Sequence, residues 1–208
     1  MNRKQETNFS LLERDSPKLC GDRVDYGLRD CMNFGLLDLP QARRIFAGLI
    51  AFEGEICCRD AAIAREFSDA YLAADALAWS NGTQSALYHY TADAYLAAYQ
   101  AGSVDRASMW AVRDDEFWRG LVESPLPAVH LAASRVTDTL RAKEIGEEES
   151  IHEDEAELRM ILKPRVVDPS VVVEGRKVPL SEIDEDFRVK LEKYKASKVG
   201  EKRFRINW

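Results

Sequence analysis

The sequence predicts a mostly α-helical protein that ends in a small β element. The helices are predicted by residues 60–79, where apolar side chains recur at steps of three and four residues, as on one face of an α-helix. The β element is predicted by residues 166–173, which are rich in valine, and by the turn sequence Glu174-Gly175-Arg176-Lys177 that follows them. We therefore expect a helical body with two or three strands near its C-terminal end.

The predicted elements follow one another along the chain, and local signals mark the boundaries of the first ones. The first helix contains Asp22 and ends near Gly35, because glycine readily adopts the left-handed conformation that terminates helices. A short helical segment follows from Leu39 to Phe46. Apolar residues on both sides of Glu53-Gly54-Glu55 predict a β-hairpin, with a loop as the alternative. The later helices are predicted over 60–79, 83–100, 105–110, 114–121, 128–141 and 181–195, and a last strand over 203–208.

Composition divides the chain into a helical region over 1–142, an acidic linker over 143–158 and a small α+β element over 159–208. Residues 143–157 hold eight acidic residues and one basic residue, which accounts for the whole net charge of −7. The rest of the chain is balanced in charge, so it has no general positive field that would attract nucleic acid. We therefore expect no nucleic-acid partner.

Apolar runs and cysteines indicate the cellular location of the protein. No apolar run reaches the roughly 18 residues that a membrane-spanning helix needs, and the first residues contain no apolar signal segment. We therefore expect a cytoplasmic protein without a membrane partner. The four cysteines are expected to be buried free thiols, since disulfides are rare in a reducing compartment.

The most informative segment is the first helix, whose side chains separate into two faces. Its apolar face consists of Cys20, Val24, Leu28 and Cys31, and its polar face of Asp22, Tyr26, Arg29, Asp30 and Asn33, with Arg23 and Asp25 at the edges. Such a polar face fits a cleft that holds a cation or a phosphate. The alternative is an ordinary solvated face, with Asp25 and Arg29 as an ion pair one turn apart.

The sequence Asp22-Arg23-Val24-Asp25-Tyr26, followed by Arg29-Asp30, resembles the last metal-site segment of the HD-domain metal-dependent phosphohydrolases. The resemblance implies a helical bundle of the HD-domain type and a divalent metal ion as cofactor. It implies Asp22 as a metal ligand and Arg23 as a basic residue near the substrate phosphate. Tyr26 and Asp30 would face the sugar or base, as in the nucleotide-cleaving members. The implied ligand is a nucleotide or another phosphoester, and neither the substrate nor the metal is specified.

The chain departs from the family in its histidines. The family's metal is held by an early histidine, a central His-Asp dipeptide and the late aspartate, but this sequence contains no His-Asp dipeptide. Its histidines, His89, His130 and His152, all follow Asp22. Since one carboxylate cannot hold a catalytic metal, we expect a bundle that is incomplete at its N-terminus, as part of a longer phosphohydrolase. This chain alone would bind metal weakly and be inactive, so no residue is assigned a catalytic role.

The alternative function is a non-catalytic interaction or regulatory module. In that case the apolar stripe of Cys20, Val24 and Leu28 would lack the helices that cover it in the family. An exposed apolar stripe recruits a partner or drives self-association. This alternative therefore predicts a homo-oligomer.

Overall fold

The computed structural model describes residues 9–152 and 156–208. In chain order the elements are α1 (Gly21–Asn33), α2 (Leu39–Ala47), β1 (Leu49–Phe52), β2 (Glu55–Cys58), α3 (Ala61–Ala74), a π-helix (Asp75–Trp79), α4 (Gly82–Gln100), α5 (Ser108–Ala111), α6 (Asp114–Val122), α7 (Pro127–Ala133), β3 (Arg141–Ile145), β4 (Ala156–Ile161), β5 (Ser170–Val173), β6 (Arg176–Pro179), α8 (Leu180–Ile183), α9 (Glu185–Ser197) and β7 (Glu201–Asn207). None of the helices in these ranges combines the length and the apolar character that a bilayer crossing requires.

The prediction of a mostly α fold is wrong. The protein is about 49% helical and 18% strand, with one four-stranded and one three-stranded sheet, so the fold is mixed α/β. The prediction was a helical bundle with a single C-terminal β element, and it did not include pairing between strands from distant segments. β2 lies beside β5, and β3 beside β7, although long stretches of chain separate them. Local periodicity carries no information about such pairing, which tertiary packing decides.

The fold divides into two compact units, and each is built from two separate stretches of chain. The described part of unit 1 is residues 9–80 and 163–199, and that of unit 2 is residues 81–152, 156–162 and 200–208. The predicted segments 1–142, 143–158 and 159–208 remain a prediction from composition. Residues 153–155 of the predicted acidic linker lie outside the described residues.

Unit 1 contains the four-stranded sheet, in the order β1-β2-β5-β6. β1 and β2 form the predicted hairpin, and its turn residues Glu53 and Gly54 both have positive φ, at 45° and 73°. β2 and β5 pair in parallel, and β5 and β6 form a second hairpin. Helices α1, α2, α3, α8 and α9 contribute to a core whose largest fully buried side chains include Tyr71, Phe67 and Phe187.

Helix α1 packs its predicted apolar face into this core. Cys20, Val24, Leu28 and Cys31 are all buried, so the stripe that the interaction-module alternative expected to be exposed is covered within unit 1. The helix ends at Asn33, and Gly35 follows with a φ of 71°, which confirms the predicted stop. The opposite face of α1 is therefore left to the polar residues.

Unit 2 contains the three-stranded sheet, in which β7 lies between β3 and β4 and both pairings are antiparallel. Helix α4 packs on α6, α7 and β3. The first residue of α4 is Gly82, and a Cβ there would lie 2.4 Å from Cε1 of the buried Phe204 ring on β7. The helix start and the sheet therefore approach so closely that only glycine fits without movement.

Candidate ligand-binding cluster on helix α1

Helix α1 begins directly against the segment before it. The backbone N–H of Gly21 donates to the carbonyl of Leu11 at 2.6 Å, and that of Asp22 donates to the carbonyl of Leu12 at 3.3 Å. These bonds satisfy two of the amides that a helix start leaves without helical partners. The Asp22 side chain is exposed, and no Lys, Arg or His of the described ranges lies within ion-pair distance of its carboxylate.

The Arg23 side chain turns back toward the segment that precedes the helix. Its Nη1 donates to the carbonyl of Arg14 at 2.5 Å and to that of Lys18 at 3.1 Å, and it contacts Sγ of Cys20 at 3.1 Å. Its Nη2 lies 3.6 Å from a Glu13 carboxylate oxygen, and only 16% of the Arg23 side chain is exposed. The guanidinium therefore fastens residues 13–18 onto α1.

Tyr26 belongs to a cluster of three aromatic rings. Its hydroxyl is hydrogen-bonded to the hydroxyl of Tyr71 on α3, and its ring meets Trp79 edge to face with centroids 5.2 Å apart. Tyr71 and Trp79 are 4.7 Å apart, also edge to face. Burial raises the pKa of both tyrosines above the usual value, and the neighbouring Asp22 carboxylate adds to the rise for Tyr26. Both hydroxyls are therefore protonated and neutral at physiological pH.

Asp30 completes the cluster at the other end of α1. Its Oδ2 accepts a hydrogen bond of 2.9 Å from Nε1 of Trp79, while its Oδ1 lies 3.8 Å from Nε of Arg29. The second distance is too long for a hydrogen bond. One carboxylate oxygen thus orients the indole, and the other is available to accept a hydrogen bond from a ligand.

A π-helix presents Trp79 to this cluster. It spans Asp75–Trp79, and the N–H of Ser80 donates to the carbonyl of Asp75 at 3.0 Å. The Asp75 side chain is fully buried, and its Oδ2 accepts from Ser80 Oγ at 2.6 Å and from the Tyr194 hydroxyl of α9 at 2.7 Å. Such π-turns are rare in proteins, and those that occur often lie at functional sites.

A cation from a distant segment lies over the rings. Arg165, in the loop before β5, places its guanidinium carbon 5.7 Å from the Tyr26 ring centroid and 6.0 Å from that of Trp79. Both distances are within the range of cation–π attraction. The Arg165 side chain is exposed, and among the described residues no Asp or Glu lies within 4.0 Å of its guanidinium nitrogens.

The structure thus brings two of the predicted residues, Tyr26 and Asp30, into contact with Trp79. Asp22 lies one turn before Tyr26 on the same helix, and Arg23 is engaged by backbone carbonyls. The roles predicted for these four residues remain predictions. Sequence reasoning missed Tyr71, Trp79 and Arg165, because nothing local indicates that α3, the π-helix and the loop before β5 meet α1.

The described residues do not form a divalent-metal site around Asp22. No group of three or more His, Cys, Asp or Glu side chains within 9–152 and 156–208 is arranged to hold a metal ion. His89, His130 and His152 all belong to unit 2, whereas Asp22 belongs to unit 1. Catalytic metals in proteins typically have three protein ligands, so the donor set found here does not fit the cofactor that the resemblance implies.

A separate apolar groove lies on the other side of α1. It has a volume of about 490 Å³ and is lined mainly by apolar residues of α1, α2 and the edge strand β1. Phe46 of α2 borders it with 65% of its surface exposed, and Asp25 and Arg29 supply a polar rim. The groove is thus open and mostly apolar.

Comparison with known proteins finds relatives but no matching protein-family profile and no similar solved structure. The chain is 35% identical over 182 residues to a Cordyceps militaris protein named metal-dependent phosphohydrolase cns2, covering 84% of this chain and 50% of that protein. It is 24% identical over 183 residues to the uncharacterized protein YdhJ of Bacillus subtilis, covering 88% of this chain and 54% of that protein. The chain spans about half the length of the curated relatives it matches. The first similarity supports the resemblance to HD-domain phosphohydrolases.

Proposed function

We propose that this chain is one part of an HD-domain metal-dependent phosphohydrolase, the part that binds the nucleotide or other phosphoester substrate. The proposal is supported by the similarity to a relative named metal-dependent phosphohydrolase and by the motif that runs from Asp22 to Asp30. The observation that carries it is the cluster on that motif's helix. Three aromatic rings, the Asp30 carboxylate and the Arg165 guanidinium lie side by side there.

The cluster has the chemistry that a nucleoside needs. The half-buried rings of Tyr26 and Trp79 can stack on any base, since every base has a π-face, while the fully buried Tyr71 packs behind them. Oδ1 of Asp30, which makes no hydrogen bond with the described residues of the protein, can accept one from a sugar hydroxyl, and carboxylates are strong acceptors. The neutral Tyr26 hydroxyl can donate or accept beside it. We therefore assign Tyr26 and Asp30 to the sugar or base, and Arg23 to the neighbourhood of the phosphate.

Bond cleavage is not assigned to this chain alone. Asp22 would be one ligand of the divalent metal that the family uses, and the described residues do not supply the others. A metal in this family would polarise the phosphoester and activate water. The proposed role of the chain is accordingly to bind and orient the substrate, and we expect it to be inactive by itself.

Calorimetric titration with AMP and with adenosine tests the binding role. We expect both to bind and to quench the fluorescence of Trp79, and the quenching to be lost in Trp79→Phe. Asp30→Asn should weaken both by roughly tenfold, because a sugar hydroxyl then loses a charged acceptor. The matched control is Asp25→Asn, an exposed carboxylate on the same helix outside the cluster, which should bind both ligands like the parent.

Phosphate release from AMP in the presence of Mn²⁺ tests the expected inactivity. We expect none from this chain. Metal-dependent release that Asp22→Ala abolishes would show that the chain completes its own metal site and would contradict the proposal of a partial site. Absence of AMP and adenosine binding would instead remove the substrate-binding role.

The alternative is a non-catalytic interaction module, and the apolar groove beside α1 is the observation that favours it. An open apolar groove next to an exposed phenylalanine is typical of a surface that binds another protein or a second copy of the chain. This alternative predicts self-association measured by light scattering and its loss in Phe46→Glu. A protein that is monomeric at all concentrations and binds AMP would favour the substrate-binding proposal.

A further inference from the structure

We propose that Arg165 is the residue that directly contacts the phosphate of a nucleotide bound at the α1 cluster. This inference rests on the proposed function, and it adds a residue that the Asp22–Asp30 motif does not contain. Arg165 lies far from that motif in sequence, in the loop between β4 and β5, and reaches it only in the folded unit 1.

Arg23, the arginine of the motif that is assigned to the phosphate, has little capacity for a direct contact. Nη1 of Arg23 already has three acceptors, the carbonyls of Arg14 and Lys18 and the Cys20 sulfur, and Nη2 faces Glu13. A phosphate that took these donors would leave backbone carbonyls near the start of α1 without partners, which is costly for partly buried groups. Arg23 can therefore help an anion through its charge, but its donors hold the fold together.

Arg165 has the opposite surroundings. Its guanidinium is exposed, rests over the faces of Tyr26 and Trp79, and has no carboxylate within 4.0 Å in the described parts of the chain. A guanidinium fits a phosphate because its parallel N–H groups match two phosphate oxygens, and stacking on aromatic rings leaves those edges free. The same two rings are those that would hold the nucleoside, so the cation lies at the border of the proposed nucleoside site.

The local charges make this cation useful to an anionic ligand. The Asp22 carboxylate acts electrostatically on Tyr26 and the Asp30 carboxylate is bonded to Trp79, and both would repel a phosphate. Arg29 lies between Asp25 and Asp30, 3.1 Å and 3.8 Å from their oxygens, so its charge is largely offset. Arg165 is positive, and it opposes the rise that burial and Asp22 cause in the pKa of Tyr26. Of the cluster's arginines that the structure describes, Arg165 is thus the one without a carboxylate partner.

The test compares AMP with adenosine, because the two differ only in the phosphate. Calorimetric titration of the intact chain is expected to show that Arg165→Gln weakens AMP binding about tenfold, the effect of losing one charged hydrogen-bond donor pair, and leaves adenosine binding unchanged. Added NaCl should weaken AMP binding by the parent, since an exposed ion pair is screened by salt. The salt effect should be smaller for Arg165→Gln.

Two variants serve as controls. Arg176→Gln removes an exposed arginine at the first position of β6, which is not part of the cluster, and should bind both ligands like the parent. Arg23→Lys keeps the charge but loses the paired carbonyl contacts, so it should lower the free energy of unfolding, which reports the structural role of Arg23 separately from binding. Equal loss of AMP and adenosine affinity in Arg165→Gln, or an unchanged AMP affinity, would overturn the inference while leaving the proposed site intact. If the parent binds neither ligand, the proposed function and this inference fail together.

Discussion

At the scale of single residues, Asp184 does two things at the start of α9. Its Oδ1 accepts the backbone N–H of Phe187 at 2.9 Å, which caps the helix, and its carboxylate receives two hydrogen bonds from Nη1 of Arg65 on α3, at 3.0 and 2.8 Å. The backbone hydrogen bond and then the arginine hold the pKa of Asp184 below its ordinary value. The ionised form is thus preferred in the folded state.

Replacing Asp184 by alanine should lower the free energy of unfolding by about 2 kcal/mol at pH 7, the upper end of the range for a lost N-cap. An aspartate whose pKa is lowered by folding contributes stability at pH values above its unfolded-state pKa of about 4. That contribution disappears as the pH falls through the lower folded-state pKa. The difference in the free energy of unfolding between the parent and Asp184→Ala should therefore become smaller as the pH drops below about 4. Urea unfolding at pH 7 and pH 3 measures it, and Asp186→Ala, an exposed neighbour, is the control.

Single residues also show which parts of the site could be predicted from the sequence and which could not. Tyr26 and Asp30 could be named because they belong to a recognisable local motif. Trp79 could be placed at the end of a helical pattern, but not beside Asp30, because that contact depends on how α1 and the π-helix pack. Arg165 carries no local signal, and its position is decided by the path of the chain into β5.

At the scale of elements, the π-helix depends on α9. The buried Asp75 carboxylate has only Oδ2 satisfied, by Ser80 and Tyr194, and its Oδ1 has no hydrogen-bond partner among the described residues. Burial raises the pKa of Tyr194, so its hydroxyl remains a donor. α9 thereby anchors the turn that ends in Trp79.

We expect Tyr194→Phe to lower the free energy of unfolding by about 1–3 kcal/mol, because a buried carboxylate loses one of its donors and no new partner replaces it. Chemical denaturation monitored by circular dichroism measures the change. Tyr99→Phe removes an exposed hydroxyl from α4 and should leave stability unchanged. Equal stability of Tyr194→Phe and the parent would show that water satisfies Asp75 in place of the phenol.

The elements also show which predictions succeed. The end of α1 and the β1–β2 hairpin follow from short-range signals, a glycine stop and a Glu-Gly turn, and both were predicted. The strands β3 and β4 flank the acidic segment, where exposed charges alternate with apolar residues only briefly. Their pairing with β7 supplies the stability that their local sequence lacks, which is why the predicted fold class was wrong.

At the scale of the whole molecule, the cysteines are confined to unit 1. Cys20, Cys31, Cys57 and Cys58 are all free and fully buried, and burial raises the pKa of Cys31 and of Cys58 to about 12. Thiol reagents react with the thiolate, and burial makes all four sulfurs inaccessible and the thiolate scarce at Cys31 and Cys58. The thiols therefore report the opening of unit 1.

We expect no labelling by Ellman's reagent in the folded protein at pH 8, and four reacted thiols after denaturation in guanidinium chloride. Absorbance of the released product counts them. A partly denatured sample should label only as fast as unit 1 opens. Immediate reaction of any cysteine in the folded protein would contradict the burial found for that position.

The pairing of β2 with β5 also has a consequence for how the protein is made. Cys58 leaves the ribosome well before Val171, its parallel neighbour, and all the intervening residues of unit 2 are synthesised between them. During that interval the β1–β2 hairpin presents an unpaired apolar edge, and Asp75 is without Tyr194. Pairings that span so much chain form slowly, and an emerging protein is most prone to aggregate while they are incomplete. The N-terminal stretch of unit 1 therefore stays partly exposed until β5, β6 and α9 have been synthesised.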